Sequence, residues 1–325
     1  MKRDLYWDSL KFILIFLVVY GHIIGPYNSA LNSLIFNFIY IFHMPLFIMI
    51  SGRFSHIRDR GKYKKGILRL FETYVVFQVI HTCFTVLHGG SISLAYIYRP
   101  HWTLWYLIVI CYWRSIVYVI PLNWLKHRYS VLSISLCISL LAGFIPVGHA
   151  FSLQRTLAFL PFFVIGYYST DINIKELVGK IPLIIAVGTL LVTFGFLFLC
   201  SECNLPHVLL CNNDYWTSDF KYAIMNLMKR AIFIPSAIIL SIMVMRLVLN
   251  HTSFAKWGNI TLFIYIYHSF TLRDVLFPLI KRSILPQNEL LLFVYSIIII
   301  VVLIKMSKFK FLNILLNPIT YWYKK

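Results

Sequence analysis

The chain has 325 residues, of which 60% are hydrophobic and only 13% charged, and its formal net charge is +19. Soluble globular domains are about 45–50% apolar and about 25% charged, so this composition excludes an ordinary soluble protein. The apolar runs are long and continuous and aromatic residues make up 17% of the chain, which excludes a disordered protein and a membrane β-barrel. The sequence therefore predicts an all-α fold, a polytopic transmembrane helix bundle.

Ten segments are predicted to cross the membrane as helices, because lipid leaves the backbone groups of an open strand without hydrogen-bond partners. In chain order they are 8–25, 31–52, 67–87, 102–121, 129–148, 152–168, 181–201, 220–249, 257–280 and 289–306. The sequence contains no evident internal repeat, low-complexity tract or soluble domain. We therefore expect residues 1–325 to form a single integral-membrane domain.

The positions of the basic residues predict the orientation of the bundle. If the N-terminus is cytoplasmic, the inside segments, together with Lys305 at the inner end of the last span, hold 18 Lys and Arg residues, and the outside loops hold 3. Cytoplasmic loops of membrane proteins are enriched in Lys and Arg, so both termini are predicted to be cytoplasmic. This bias accounts for most of the positive charge without a nucleic-acid partner, and the expected surroundings are membrane lipids.

The six cysteines do not indicate a metal site. Three lie inside predicted spans, where we expect small packing residues: Cys83, Cys111 and Cys137. The others cluster in the 200–211 region: Cys200, Cys203 and Cys211. Two of them can form a disulfide if the compartment is oxidising. A zinc site needs further ligands at defined spacing, and only His207 is near in sequence, so no metal is expected.

The first predicted span carries Asp8, Lys11 and His22. A charged side chain at the membrane centre costs about 2.5–3.5 kcal/mol, so such residues are candidates for function. At 100° per residue the three side chains lie along one stripe of the helix, with Lys11 and His22 about 16 Å apart along its axis. The structural alternative is that Lys11 extends to the headgroups and His22 lies at the opposite interface.

Polar residues in the second and third spans have structural alternatives too. His43 lies just before Pro45, which removes a backbone hydrogen bond, and a hydrogen-bonded core histidine is an equally good interpretation. Arg69 and Glu72 are three residues apart on the third span, so we expect them to form an ion pair.

Three further spans each carry one candidate functional residue. Trp105 lies in an aromatic stretch that alone would indicate an interfacial belt. Arg155 lies in the sixth span, and His268 lies deep in the ninth, where a structural role is equally open. The chain has no Gly-x-Ser-x-Gly nucleophile motif, no phosphate-binding P-loop and no His-Glu-x-x-His zinc motif.

Five short motifs occur in one order along the chain. The first is Lys11 followed by ten residues and His22, with Arg3 and Asp8 before it. The next three read FHMPLF at 42–47 with Ser51 and Gly52 after it, LWYL at 104–107, and LPFFVIGY at 160–167. The last combines Gly258 and Asn259 with YIYH at 265–268.

In these motifs the chain resembles the acyltransferase-3 family of membrane-bound O-acyltransferases. It is most similar to the stand-alone bacterial members, which acetylate sugars of surface polysaccharides. The resemblance departs from the family pattern after the second span, where Lys65 and Arg69 are four residues apart instead of three and the usual Pro is missing. The fused extracytoplasmic domain of some members is not expected here.

The resemblance implies a reaction and its participants. The donor would be cytoplasmic acetyl-CoA or a related acyl-CoA, the acceptor a sugar or lipid-linked oligosaccharide, and the location the bacterial inner membrane. The implied catalytic residues are His22, Lys11 and Asp8. The implied donor- or substrate-binding residues are His43, Ser51, Arg69, Glu72, Trp105, Arg155 and His268.

The resemblance leaves several questions open. A neutral imidazole near pH 7 suits His22 to act as general base, and a transient acyl-histidine is a variant. Lys11 would bind donor phosphates or stabilise the oxyanion. The alternative to an acyltransferase is a transporter or flippase of a lipid-linked sugar, although the absence of a repeated half counts against it.

Overall fold

The computed structural model describes residues 4–27, 29–87, 89, 91, 93–145, 150–199, 210, 211, 215 and 220–319. Within these ranges the chain is helical and contains no β-strand. Arg3, Cys200, Cys203 and His207, which the sequence analysis singled out, lie outside the described residues.

The helices follow one another with short connections. The first half of the chain holds α1 (Leu5–Ile24), α2 (Ala30–Arg53), α3 (Arg60–Leu87), α4 (Ala95–Tyr98), α5 (Trp105–Val119), α6 (Leu122–Leu125), α7 (Arg128–Leu141), α8 (Leu153–Ala158) and α9 (Leu160–Tyr168). The second half holds α10 (Ile174–Gly179), α11 (Leu183–Leu199), α12 (Phe220–Val248), α13 (Thr261–Phe270), α14 (Phe277–Lys281), α15 (Glu289–Met306) and α16 (Lys310–Leu316). A π-helical turn, Thr271–Leu276, connects α13 to α14.

The chain divides into two compact units. Unit 1 comprises the described residues within 1–47, 173–209 and 234–310, and unit 2 those within 48–172, 210–233 and 311–325. The long helices α2 and α12 each contribute residues to both units. That residues 1–325 form one integral-membrane domain stays a prediction.

Unit 1 is arranged around α1. This helix packs against α13, α15 and the 3₁₀ turn Ala255–Trp257, and α13 also packs against α15. The Asp4 side chain accepts a hydrogen bond from the Tyr6 backbone N–H at 3.1 Å and so caps the first turn of α1. Lys175 forms an ion pair with Asp4 at 2.8 Å. Helix α1 therefore packs directly against the helix that carries the candidate His268.

Unit 2 contains a close contact between two helices at glycines. A Cβ atom added to Gly52 at the end of α2 would lie 2.9 Å from the Tyr167 backbone nitrogen, and one added to Gly166 of α9 would collide with the Met49 carbonyl. Only glycine allows the two backbones to approach this closely. In the same unit α3 packs against α5, and α7 packs against α8 and α9.

Each of the ten predicted spans overlaps a helical segment of the described residues, but fewer helices have the length of a membrane crossing. Six helical segments of at least 18 residues are apolar enough to cross, and a seventh is obtained if Ala150–Ala158 and Leu160–Asp171, bent by 56°, form one broken span. The other predicted spans correspond to the shorter helices Arg128–Phe144 and Leu183–Leu199 and to the interrupted helix through α13 and α14. The ten-span count and the cytoplasmic location of the termini stay predictions.

The cysteine predictions are confirmed only in part. Cys111 is buried in α5, as expected of a packing residue. Cys83 and Cys137 are exposed on the helices that carry them, so the packing interpretation is wrong for both. A sequence pattern places a cysteine in an apolar helix but does not tell which face of that helix is covered by the protein.

Candidate functional site

Two imidazole rings lie side by side in unit 1. His22, in the last turns of α1, stacks on His268 of α13 with ring centroids 5.5 Å apart and an interplanar angle of 27°. His22 is half-buried, whereas His268 is 0% exposed. The second histidine donates Nδ1–H to the Ile264 carbonyl at 3.1 Å, because a carbonyl oxygen can only accept. Its neutral form therefore carries the lone pair on Nε2.

A tyrosine of α2 connects this pair to a third histidine. The Tyr40 hydroxyl lies 3.5 Å from Nδ1 of His22, and its ring lies 4.5 Å from the ring of His43. His43 is 2% exposed and donates Nδ1–H to the Ile39 carbonyl at 2.9 Å. His22 of α1 and His43 of α2 thus flank one phenol, and His268 of α13 stacks on His22, which is an arrangement able to accept, hold and pass a proton.

Asp8 and Lys11 form the second feature of α1. Their side chains make an ion pair at 2.8 Å, and the aspartate side chain is buried while the lysine is partly exposed. Gly258, which follows the 3₁₀ turn, packs on Asp8 so closely that an added Cβ would lie 2.5 Å from the aspartate Cβ and carbonyl oxygen. Lys11 lies about 16 Å from His22 along the helix axis, so the cation and the imidazole are at separate levels of α1.

An open cavity of about 270 Å³ lies at the C-terminal end of α1. Its wall consists mainly of amide, hydroxyl and carboxylate side chains that precede α2 or cap α15. The lining residues are Tyr27, Ser29, Asn32, Gln287, Asn288, Glu289 and Leu292. The amides and hydroxyls both donate and accept hydrogen bonds, and the Glu289 carboxylate accepts them.

Unit 2 holds the other predicted residues, and three of them contact identified side chains. Ser51 and Tyr106 share a hydrogen bond of 2.7 Å between their hydroxyl oxygens, which connects α2 to α5. Trp105 stacks on Phe159 with centroids 5.8 Å apart, and the Arg155 guanidinium lies over the Trp105 ring at 4.7 Å. The predicted residues Trp105 and Arg155 are therefore in direct contact.

The predicted ion pair between Arg69 and Glu72 is wrong. Both residues belong to the described part of α3, but no ion pair joins them; Arg69 is exposed, and Glu72 accepts a hydrogen bond from the Ile319 backbone N–H at 2.5 Å. A spacing of three residues permits the contact, yet exposed pairs gain little from holding two long side chains together.

Tyr40 and Tyr106 of these clusters, and the buried Arg230 of α12, were not predicted as site residues from the sequence. Tyr40 could have been found, because it lies three residues before His43 and so shares a helix face with it. Tyr106 belongs to the motif LWYL, but its pairing with Ser51 could not be predicted, because the two residues are 55 positions apart. Arg230 is a charged residue within a predicted span, which is a recognisable signal of function, but its burial is visible only in the structure.

No group of three or more His, Cys, Asp and Glu side chains in the described ranges is arranged to hold a metal ion. The long apolar helices and the buried polar clusters are those of a polytopic membrane protein. The family model of the acyltransferase-3 family, whose description is "Acyltransferase domain", matches residues 4–306. The chain therefore belongs to the acyltransferase-3 family, and the prediction from the five motifs is confirmed. No match was found among curated proteins or among solved structures.

Proposed function

We propose that the protein is an acyl-CoA-dependent O-acyltransferase of the bacterial inner membrane. It would transfer an acetyl or other short acyl group from cytoplasmic acetyl-CoA to a hydroxyl of a surface-polysaccharide or lipid-linked sugar. The observation that carries this proposal is the contact of His22 with His268 and Tyr40, within a chain of an acyltransferase family.

The reaction needs a base. A sugar hydroxyl is a poor nucleophile until its proton is removed, and a neutral imidazole has the proton affinity for this near pH 7. His22 takes the proton, the sugar oxygen attacks the thioester carbonyl, the C–S bond breaks and the thiolate of CoA leaves and is protonated. Donation of Nδ1–H from His22 to the Tyr40 oxygen would keep Nε2 as the basic nitrogen.

The two ends of α1 suit the two substrates. Lys11, held by Asp8, offers a cation towards the predicted cytoplasmic end, where it would bind donor phosphates or stabilise the oxyanion. The cavity lined by Tyr27 lies past the C-terminal end of α1, which is its predicted non-cytoplasmic end. Its amides and hydroxyls suit a sugar. We assign donor or acceptor binding also to His43, Ser51, Arg69, Glu72, Trp105, Arg155 and His268.

The test is transfer of label from acetyl-CoA to an oligosaccharide by the purified full-length protein. Wild-type protein is expected to label the oligosaccharide, and His22→Ala is expected to abolish labelling while its thermal unfolding stays cooperative. His251→Ala, which removes an exposed imidazole from the same unit, is the matched control and should retain activity. Full activity of His22→Ala would refute the base assignment. Movement of the sugar across the bilayer without thioester consumption would favour a transporter.

A further inference from the structure

The cavity at the C-terminal end of α1 has a buried amide in its wall. Asn32, in the first turn of α2, is 3% exposed and is the most buried polar residue of the lining. Its Oδ1 atom is buried and makes no hydrogen bond in the described part of the chain. A buried carbonyl oxygen without a partner is costly, and a ligand that brings an N–H or O–H donor into the cavity removes this cost.

Two other lining residues already use acceptor atoms to cap the neighbouring helices. Ser29 Oγ accepts a hydrogen bond from the Asn32 backbone N–H at 3.1 Å, and Asn288 Oδ1 accepts one from the Leu291 backbone N–H at 2.8 Å. A hydroxyl and a primary amide still carry donor hydrogens after such a bond. The wall thus combines donors on its less buried residues with an acceptor on its most buried polar one. A sugar hydroxyl, which donates and accepts at once, suits this combination.

The size of the cavity limits what it can hold. Its volume of about 270 Å³ equals that of about nine water molecules at about 30 Å³ each. Buried Leu292 and the ring of Tyr27, which lies edge-on to Phe277 at 6.5 Å, supply its apolar surface. One sugar ring, apolar on its faces and polar at its rim, fits this space, whereas a longer oligosaccharide extends out of it.

Glu289 is the one charged side chain among the described lining residues. Helices α2 and α15 both begin at the cavity, and the N-terminus of a helix carries about half a positive charge. These two partial charges offset the carboxylate, so the wall as a whole is close to neutral. A second carboxylate or a phosphate at hydrogen-bond distance from Glu289 would nevertheless be repelled.

Basic residues that could attract an anion are not part of this wall. Lys281 and Arg282, which precede α15, are exposed and do not line the cavity. The undescribed residues 28, 88, 90, 92, 146–149, 200–209, 212–214 and 216–219 include no Lys or Arg. The remaining undescribed residues belong to the two termini, which are predicted to be cytoplasmic.

We propose that this cavity binds one uncharged sugar residue of the acceptor and disfavours sugars that carry a carboxylate or a phosphate. Asn32 binds the sugar through its buried Oδ1, and Glu289 sets the selectivity against anions. The inference rests on the proposed function, because it names the class of sugar that the acyltransferase would modify.

Saturation-transfer NMR on the full-length protein in lipid nanodiscs tests the proposal without any acyl transfer. Nanodiscs avoid detergents with sugar headgroups, which would compete for the site. The probes are glucose and glucuronate, which differ only in the carboxylate at C6. Near pH 7 and at constant ionic strength, glucose should bind and glucuronate should bind about ten-fold more weakly, as expected for two like charges in contact at a protein surface.

Substitution of Asn32 tests the buried amide. Asn32→Leu should weaken glucose binding about five-fold, whereas the unfolding midpoint of the sugar-free protein should not fall, because Oδ1 has no hydrogen bond to lose. Asn32→Ala serves if the leucine variant does not fold. Asn37→Leu is the matched control, because Asn37 of α2 also has a buried Oδ1 without a hydrogen bond but does not line the cavity; it should leave glucose binding unchanged.

Substitution of Glu289 tests the selectivity. Glu289→Gln keeps the size of the side chain and removes its charge, so glucuronate should bind at least as well as glucose. Glu176→Gln removes an exposed carboxylate elsewhere in unit 1 and should leave the ten-fold difference unchanged.

Four results would overturn the proposal: no binding of glucose, equal binding of both sugars to wild type, wild-type binding by Asn32→Leu, or wild-type selectivity of Glu289→Gln. If the sugars bind as expected but no acetyl group is transferred from acetyl-CoA, the site stands and the proposed function fails. If an oligosaccharide is acetylated while both variants bind and react like wild type, the function stands and the site fails.

Discussion

Substitution of Gly258 by alanine tests the packing that holds Asp8 in place. The added methyl carbon would lie 2.5 Å from the Asp8 Cβ and carbonyl oxygen and 2.6 Å from its Cα. Carbon atoms in contact are separated by about 3.5–4.0 Å, so the turn and α1 have to move apart by about 1 Å. Two of the three nearest atoms belong to the backbone of α1, so a change of side-chain rotamer does not relieve the clash.

The cost follows from this displacement. Overpacking of a well-packed interior costs about 1–3 kcal/mol of unfolding free energy. Displacement of Asp8 also moves the Lys11 ammonium, its partner in the ion pair at 2.8 Å. A shift of about 1 Å in a group that positions a substrate lowers activity about a hundred-fold. We therefore expect Gly258→Ala to lower both the unfolding midpoint and kcat/KM for acetyl-CoA.

Thermal unfolding and acyl-transfer kinetics of the purified protein measure the two effects. Gly195→Ala is the matched control, because no atom lies within 4 Å of the Cβ that it adds. This control should be at least as stable as wild type, since alanine favours the helical conformation of α11 over glycine. If Gly258→Ala matches wild type in both measurements, the close packing of the turn on Asp8 is not what holds the Asp8–Lys11 pair.

Three further substitutions have defined outcomes. Tyr40→Phe removes the hydroxyl near His22 and should lower kcat several-fold with an unchanged unfolding midpoint; an unchanged kcat would exclude a role for this hydroxyl in positioning the imidazole. Ser51→Ala and Tyr106→Phe each break one hydrogen bond and should each cost about 1 kcal/mol, whereas the double variant should cost less than their sum; additive losses in chemical denaturation would contradict the shared bond. Arg69→Gln should change the unfolding free energy by less than about 0.5 kcal/mol, because Arg69 is exposed; a larger loss would indicate an ion pair.

Features that depend on neighbours along one helix were predictable from the sequence. The angular spacing of Asp8, Lys11 and His22 places them on one stripe of α1, and the ion pair between the first two agrees with it. The helical class also followed from composition and run length. The motif glycines Gly52 and Gly166 were recognised from the sequence, but their meeting in one helix contact was visible only in the structure.

Features that depend on contacts between distant segments were not predictable. The stacking of His22 on His268 joins residues 246 positions apart, and no local pattern encodes such a contact. The spacing of Arg69 and Glu72 permitted an ion pair, but an exposed ion pair contributes little to stability. For Arg230 the sequence shows the charge, whereas its burial depends on how α12 packs.

The most direct measurement is the mass spectrum of an oligosaccharide acceptor after incubation with acetyl-CoA and the full-length protein in lipid nanodiscs. We expect a product heavier by one acetyl group per modified hydroxyl, with one CoA thiol released for each acetyl transferred. His22→Ala, with an unfolding transition like that of wild type, should form neither. Equal product formation by this variant, or release of CoA without any acetylated acceptor, would contradict the account.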